Sequence, residues 1–166
     1  MNKAMDFYIK RPIMWDMLIV IIIWIISSYV QRISFTFLDT ATQMNLLSSV
    51  IGTCVSLSGF ILAALTIIVT FKSNIKAKRM EEASDALELI FSSKHYPAII
   101  NVFKSAITEY CLLFLTLYFV WAGASNMNVE TLNKVNISGI IVTSLVLFRS
   151  LLTLFKVIEL PEKKLK

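Results

Sequence analysis

Charged residues are scarce in this 166-residue chain: they make up 16%, against 57% hydrophobic residues, and the mean hydropathy is +0.73. Soluble globular domains hold about 25% charged and about 45–50% apolar residues. The balance excludes an ordinary soluble domain and indicates an integral membrane protein. Helix breakers are also few, with four glycines and three prolines, so long helices have few places to be interrupted.

Residues that build active sites and metal centres are equally rare. The single histidine, His95, has no second histidine or cysteine at ligand spacing, so no metal site is expected. Cys54 and Cys111 both fall in apolar stretches, which predicts neither a disulfide framework nor a redox pair. There is no glycine-rich phosphate loop and no Ser/His/Asp arrangement. The sequence therefore predicts a protein that is not an enzyme and has no catalytic residues and no cofactor.

The apolar residues collect in four blocks that polar stretches separate. Each block is long enough to cross a hydrocarbon core about 30 Å thick at about 1.5 Å per helical residue. The first block is longer and bulkier than the roughly 7–15-residue core of a signal peptide, so we expect it to remain as an anchor. We predict an all-α integral membrane protein, a single transmembrane domain over residues 1–166. Its four spans are about 13–30, 46–71, 107–124 and 137–158.

The basic residues predict the orientation of these spans. Thirteen of the sixteen lie in the first, third and fifth polar segments, whereas Arg32 and Lys134 lie in the other two and Arg149 lies within a span. Under the positive-inside rule, both termini and the central segment are cytoplasmic. This placement also accounts for the net charge of +5 through topology and anionic headgroups, so the expected partner is the lipid bilayer and no nucleic acid is expected. The short segments 31–45 and 125–136 are expected to be connectors without site chemistry.

The long cytoplasmic segment has helical periodicity of its own. Four apolar side chains recur at steps of 3, 4 and 3 while the acidic residues lie mostly on other faces, a pattern typical of an amphipathic helix. Pro97 can occupy the first turn of a further helix that runs into the third span. We predict a cytoplasmic helical hairpin, about 72–105, that extends spans two and three and offers a surface for a cytoplasmic partner protein. The apolar residues of that surface are Met80, Ala83, Leu87 and Ile90.

Three ionisable residues fall inside the predicted spans: Asp16, Glu109 and Arg149. Each costs about 2.5–3.5 kcal/mol at the bilayer centre on insertion scales, so such groups tend to be paired or functional. All three are predicted to lie in the cytoplasmic half of the membrane and can meet. One interpretation leaves the carboxylates in the headgroup zone with Arg149 reaching the surface along its aliphatic stem. The other pairs Arg149 with a carboxylate, within one subunit or between two.

The second span combines complete absence of charge with many hydroxyl groups. Residues 40–71 contain no Asp, Glu, Lys, Arg or His, yet eight small or hydroxylated residues share one helical face. Close helix packing accounts for such a face, and a pore lined by the hydroxyls of several subunits is the functional alternative. We expect a symmetric homo-oligomer with the second span at or near its axis. We call these residues the α2 stripe: Ser49, Gly52, Thr53, Ser56, Gly59, Ala63, Thr66 and Thr70.

The layout of the chain resembles that of small four-span inner-membrane proteins of bacterial anti-phage defence systems, such as the KwaA-like component of Kiwa systems. The segments SLSGFILAALTIIVTF and FSSKHYPAIINVFKSAI, with the cytoplasmic helix between them, carry this resemblance. It implies an oligomeric sensor or effector in the bacterial inner membrane. Two hypotheses follow: a pore-forming or membrane-perturbing effector gated through the cytoplasmic hairpin, or a non-conducting scaffold or sensor that recruits a cytoplasmic partner.

Overall fold

The computed structural model describes residues 12–29, 39–74 and 96–159. All regular structure in these ranges is helical, which confirms the all-α class. The α-helices of these three ranges are α1 (Pro12–Tyr29), α2 (Thr40–Asn74), α3 (Tyr96–Gly123) and α4 (Val129–Glu159), and a 3-10 turn (Ala124–Asn126) lies between α3 and α4.

Three of these helices are long and apolar enough to cross a membrane. They are Thr40–Lys72 in α2, Tyr96–Asn126 through α3 and its 3-10 turn, and Val129–Phe155 in α4. The first helix contributes a shorter apolar stretch, Ile13–Ile26. These lengths support a multi-pass membrane protein. The predicted partner-binding residues Met80, Ala83, Leu87 and Ile90 lie outside the described residues.

Side-chain contacts fix the relative directions of the helices. The early part of α1 lies beside the late part of α4, so the two are antiparallel, and α3 is also antiparallel to α4. In contrast, α2 runs parallel to α4. Each direction is defined by two contacts: Asp16 with Arg149 and Trp24 with Ser138 for α1, Gln43 with Asn136 and Cys54 with Thr143 for α2, and Glu109 with Arg149 and Leu117 with Gly139 for α3.

The apolar core lies between α2, α3 and α4. Its members share one face of each helix and are Leu47, Val50, Cys54, Ile61, Ile99, Phe103, Ala106, Tyr110, Leu117, Val142 and Val146. Gly139 of α4 borders this core at a close approach of the three helices. A Cβ atom at Gly139 would lie 3.3 Å from Leu117 Cδ1 and 3.4 Å from Val50 Cγ1. The absent side chain at Gly139 therefore lets α4 approach its neighbours.

Two helices begin earlier than hydropathy predicts. The first turns of α2 and α4 occupy residues 40–45 and 129–136, which we expected to be connectors, so that expectation was wrong for these residues. Asp39 caps α2: its Oδ2 accepts a hydrogen bond from the Thr42 backbone N–H at 3.1 Å, and its Oδ1 accepts one from Thr42 Oγ1 at 2.5 Å. Such a cap satisfies a backbone donor that a helix start otherwise leaves open. The polar residues at the beginning of α2 and α4 are therefore part of these helices.

Candidate functional site: a buried ion triad and an outward polar stripe

Asp16, Glu109 and Arg149 meet in the interior of the bundle. Arg149 Nη1 donates to Asp16 Oδ2 at 2.9 Å, and Arg149 Nη2 donates to Glu109 Oε2 at 2.6 Å. The three side chains are only 1%, 6% and 3% exposed respectively. One guanidinium thus binds carboxylates from two different helices, α1 and α3. We call this cluster the ion triad.

The ion triad is formed within one chain, and both carboxylates take part in it. This differs from the interpretation in which Arg149 extends to the membrane surface, because the guanidinium is buried and hydrogen-bonded to both partners. Removing charges from water costs several kcal/mol per ion, and that cost is offset only by close, hydrogen-bonded pairing. The two short contacts to Arg149 meet this requirement and hold three helices at one level of the bundle.

The ion triad also attaches α1 to the bundle. Among the described side chains of residues 13–26, Asp16 is the only one that is buried. Most of the other side chains are apolar and exposed, with Met17 and Ile21 each 57% exposed. A second contact lies farther along, where Trp24 Nε1 donates to Ser138 Oγ at 2.9 Å. Lys134 Nζ of α4 also lies 6.0 Å from the centroid of the Trp24 ring. In the part of the chain that the structure describes, these contacts to α4 position α1 with little apolar burial to assist them.

A second buried polar cluster lies at the other end of α4. Asn136 Nδ2 donates to Gln43 Oε1 at 2.6 Å and to the Gln43 carbonyl oxygen at 3.0 Å. Gln43 Nε2 in turn donates to Asn133 Oδ1 at 3.1 Å. Gln43 and Asn136 are fully buried and Asn133 is 8% exposed. We did not predict this carboxamide cluster. The feature of the sequence that could have indicated it is the presence of three carboxamide residues at the margins of apolar blocks.

Between the two clusters, Thr143 joins α4 to both α2 and α3. The Thr143 hydroxyl and the Cys54 thiol are 3.3 Å apart, and Tyr110 Oη donates to the Thr143 carbonyl oxygen at 3.0 Å. All three side chains are buried. Cys54 is thus an interior packing residue with a hydroxyl neighbour, as expected for a thiol within a span.

The α2 stripe lies on the outside of the bundle. All eight residues are exposed, and a Cβ atom added at Gly52 or Gly59 would meet nothing within 4 Å. With about 3.6 residues per turn, the stripe lies roughly opposite the buried positions Leu47, Cys54 and Ile61. Large apolar residues flank it, including Phe60, which is 73% exposed. The stripe therefore takes no part in packing among the described helices.

Hydroxyl groups of the α2 stripe bond to their own helix. Ser49 and Thr53 donate to the carbonyl oxygens of Asn45 and Ser49 at 2.9 and 2.8 Å. Thr66 and Thr70 donate to those of Leu62 and Thr66, both at 2.9 Å. Serine and threonine commonly satisfy their hydroxyls in this way within helices. The stripe can consequently face another helix without requiring that helix to supply acceptors.

The described residues contain no group of three or more His, Cys, Asp or Glu side chains placed to hold a metal ion. Comparisons with protein-family models, with curated proteins and with solved structures find no match to this chain. The candidate functional site consequently consists of two features of the chain itself, the interior ion triad and the outward α2 stripe.

Proposed function

We propose that this chain is an oligomeric sensor or effector of the bacterial inner membrane that takes part in anti-phage defence. Four spans with cytoplasmic termini form the protomer, and copies associate through the α2 stripe. The observation that carries the proposal is that all eight stripe residues face away from the protomer core. Small residues at this spacing let helix backbones approach closely, and closed symmetry is the usual result when identical subunits associate.

In the proposed mechanism, the segment 72–105 receives the signal and α2 delivers the response. The described part of α2 continues to Asn74, and α3 begins at Tyr96 with Pro97 in its first turn. A helix that continues beyond the apolar region can transmit a displacement along its axis. Such coupling requires an element with two arrangements that the input biases. The response is a pore lined by stripe hydroxyls, or another perturbation of the bilayer, and toxicity to the infected cell follows from either.

Ion flux from purified protein in liposomes is the direct test of the pore. Thr66→Leu places bulk and an apolar surface on the stripe, whereas Thr116→Leu makes the same change on an exposed face of α3, where the hydroxyl also bonds its own helix at 2.8 Å. We expect Thr66→Leu to alter the flux and Thr116→Leu to leave it unchanged. Equal effects of the two variants would contradict the assignment of the stripe.

The second candidate function is a non-conducting scaffold. Four hydroxyls of the α2 stripe already donate hydrogen bonds to their own helix. This favours the scaffold, since such a face does not need water as a hydrogen-bond partner. Leu87→Asp separates the two functions when it is combined with the flux measurement. If intact wild-type oligomers conduct nothing while Leu87→Asp still abolishes protection of cells against phage, the scaffold replaces the pore. If the wild-type protein conducts ions and Leu87→Asp neither triggers nor suppresses that flux, the segment 72–105 has no part in the mechanism.

Cysteine labelling tests the orientation on which this mechanism depends. In a background without Cys54 and Cys111, a cysteine near Asn128 should react with an impermeant reagent added outside the cell. A cysteine near Glu82 should be protected until the membrane is permeabilised. The reverse pattern would place the segment 72–105 outside the cytoplasm and contradict the proposed direction of signalling.

A further inference from the structure

The carboxamide cluster of Gln43, Asn133 and Asn136 joins the beginning of α2 to the beginning of α4. Asn136 Nδ2 lies 3.0 Å from the Gln43 carbonyl oxygen and 2.6 Å from Gln43 Oε1. A backbone carbonyl oxygen can only accept hydrogen bonds, so the atom beside it must be the amide nitrogen of Asn136. The orientation of this carboxamide is thereby fixed, and its remaining polar atom is the acceptor Oδ1.

Asn136 Oδ1 is buried, and it accepts no hydrogen bond from the residues that the structure describes. Asn136 as a whole is 0% exposed. Two side-chain donors at the same end of the bundle bond elsewhere: Gln43 Nε2 donates to Asn133 Oδ1 at 3.1 Å, and Trp24 Nε1 donates to Ser138 Oγ at 2.9 Å. Buried oxygen acceptors usually have a partner, and an exception indicates an ordered water, an ion or strain. Asn136 Oδ1 therefore requires a donor other than these side chains.

The chemistry of the carboxamide cluster favours a neutral donor over a cation. Its members carry no charge, and amide N–H groups of Gln43 and Asn136 lie among its oxygens. A hard cation such as Ca²⁺ takes about 6–8 oxygen ligands, whereas Gln43 Oε1 and Asn133 Oδ1 already accept an N–H. A water molecule needs fewer partners, since buried waters make about three hydrogen bonds to groups that are otherwise unsatisfied. The second lone pair of either oxygen can accept from such a water.

We propose that the carboxamide cluster binds one internal water molecule, which donates a hydrogen bond to Asn136 Oδ1. The second hydrogen of the water is donated to a neighbouring carboxamide oxygen. The water thereby completes a polar junction between α2 and α4, at the end of α4 opposite the ion triad. All three carboxamides can then be buried without leaving an acceptor unsatisfied. This site does not depend on whether the protein forms oligomers, conducts ions or binds a partner.

A crystal structure of the wild-type protein from a lipid mesophase, at a resolution that shows ordered water, tests the proposal directly. We expect one density peak at about 2.7–2.8 Å from Asn136 Oδ1, the usual length of an O–H···O hydrogen bond. Crystals grown with thallium(I) in place of potassium should show no anomalous signal at this peak, because a water molecule is not exchanged for the ion. This measurement uses the wild-type chain and does not depend on the folding of a variant.

Nuclear magnetic resonance of the protein in lipid nanodiscs, with asparagine labelled by ¹⁵N, supplies a second measurement. Dipolar magnetisation transfer from water should reach the side-chain amide of Asn136, although this residue is fully buried. Asn136→Leu keeps a similar volume without a carboxamide, so this signal should be lost and its assignment confirmed. Thr143→Val, which removes a buried hydroxyl elsewhere on α4, is the matched control and should leave the signal of Asn136 unchanged.

Four results would overturn the proposal. The first is an Asn136 Oδ1 with no density within hydrogen-bond distance, and the second is an anomalous thallium peak, which would assign the site to a cation. The third is a donor from the segment 30–38 bonded directly to Asn136 Oδ1, which would give the acceptor a partner within the chain. The fourth is an equal loss of the water signal in Thr143→Val, which would attribute that signal to general loosening of the bundle.

Discussion

The ion triad and the α2 stripe are both polar features of apolar helices, and they differ in where their partners lie. The ion triad is buried and its charged groups bind one another within a single chain. The α2 stripe is exposed, and four of its hydroxyls donate to the preceding turn of the same helix. Polarity in a membrane span thus has two distinct uses. One kind of group holds the protomer together, and the other leaves a surface available to a second molecule.

The strongest test of this comparison removes the positive charge of the ion triad. Arg149→Leu leaves two carboxylates buried without a guanidinium, and breaking a buried pair in this way costs about 3–5 kcal/mol. We expect a large fall in the free energy of unfolding, measured in detergent with a denaturant. Lys134→Ala is the control, because its bond to Glu130 is exposed, with side chains 51% and 59% accessible, and such pairs contribute about 0.3–0.5 kcal/mol. Similar effects of the two changes would contradict the structural role of the triad.

Matched glycine substitutions sharpen the comparison between the inner and outer faces. Gly139→Leu forces side-chain atoms into Leu117 and Val50, and such overpacking costs about 1–3 kcal/mol. Gly59→Leu meets nothing within the protomer but pushes apart any helix packed on the α2 stripe. We therefore expect Gly139→Leu to lower the unfolding midpoint of the protomer and Gly59→Leu to reduce oligomer size, as measured by mass photometry in nanodiscs. Unchanged oligomers with Gly59→Leu would remove the stripe as an interface.

The smallest effect is expected at the exposed cap of α2. Hydrogen bonds from the Thr42 hydroxyl and backbone N–H hold the pKa of Asp39 below its usual value of 3.8. Because the folded-state pKa is lowered, the stabilisation is present above that value and is lost as pH falls through the folded-state pKa. Asp39→Ala should increase hydrogen exchange in the first turn of α2 and leave the rest of the bundle unchanged. Asp39→Asn, which keeps an acceptor, should have the smaller effect; equal protection in wild type and Asp39→Ala would contradict the cap.

The residues of the ion triad could be predicted from the sequence because ionisable residues are rare inside an apolar run. Depth in the predicted spans placed Asp16, Glu109 and Arg149 close enough to meet, although it left open which carboxylate was the partner. Helical class followed from the length of the apolar blocks. In contrast, Gln43 and Asn136 carry no charge and lie at block margins, so hydropathy alone favoured loops there. Hydropathy measures apolar content, and it does not detect a cap or a polar side chain that faces inward.

The ion triad also has a consequence for the synthesis of the protein. Its two carboxylates reside in α1 and α3, whereas Arg149 lies in α4, the last of the described helices. During translation, Asp16 and Glu109 therefore enter the membrane before their shared partner has been made. A membrane-embedded carboxylate without a partner is costly, so these helices remain incompletely assembled until α4 arrives. Insertion of α4 and closure of the bundle become one event, and a chain truncated before Arg149 exposes its buried acids to cellular quality control.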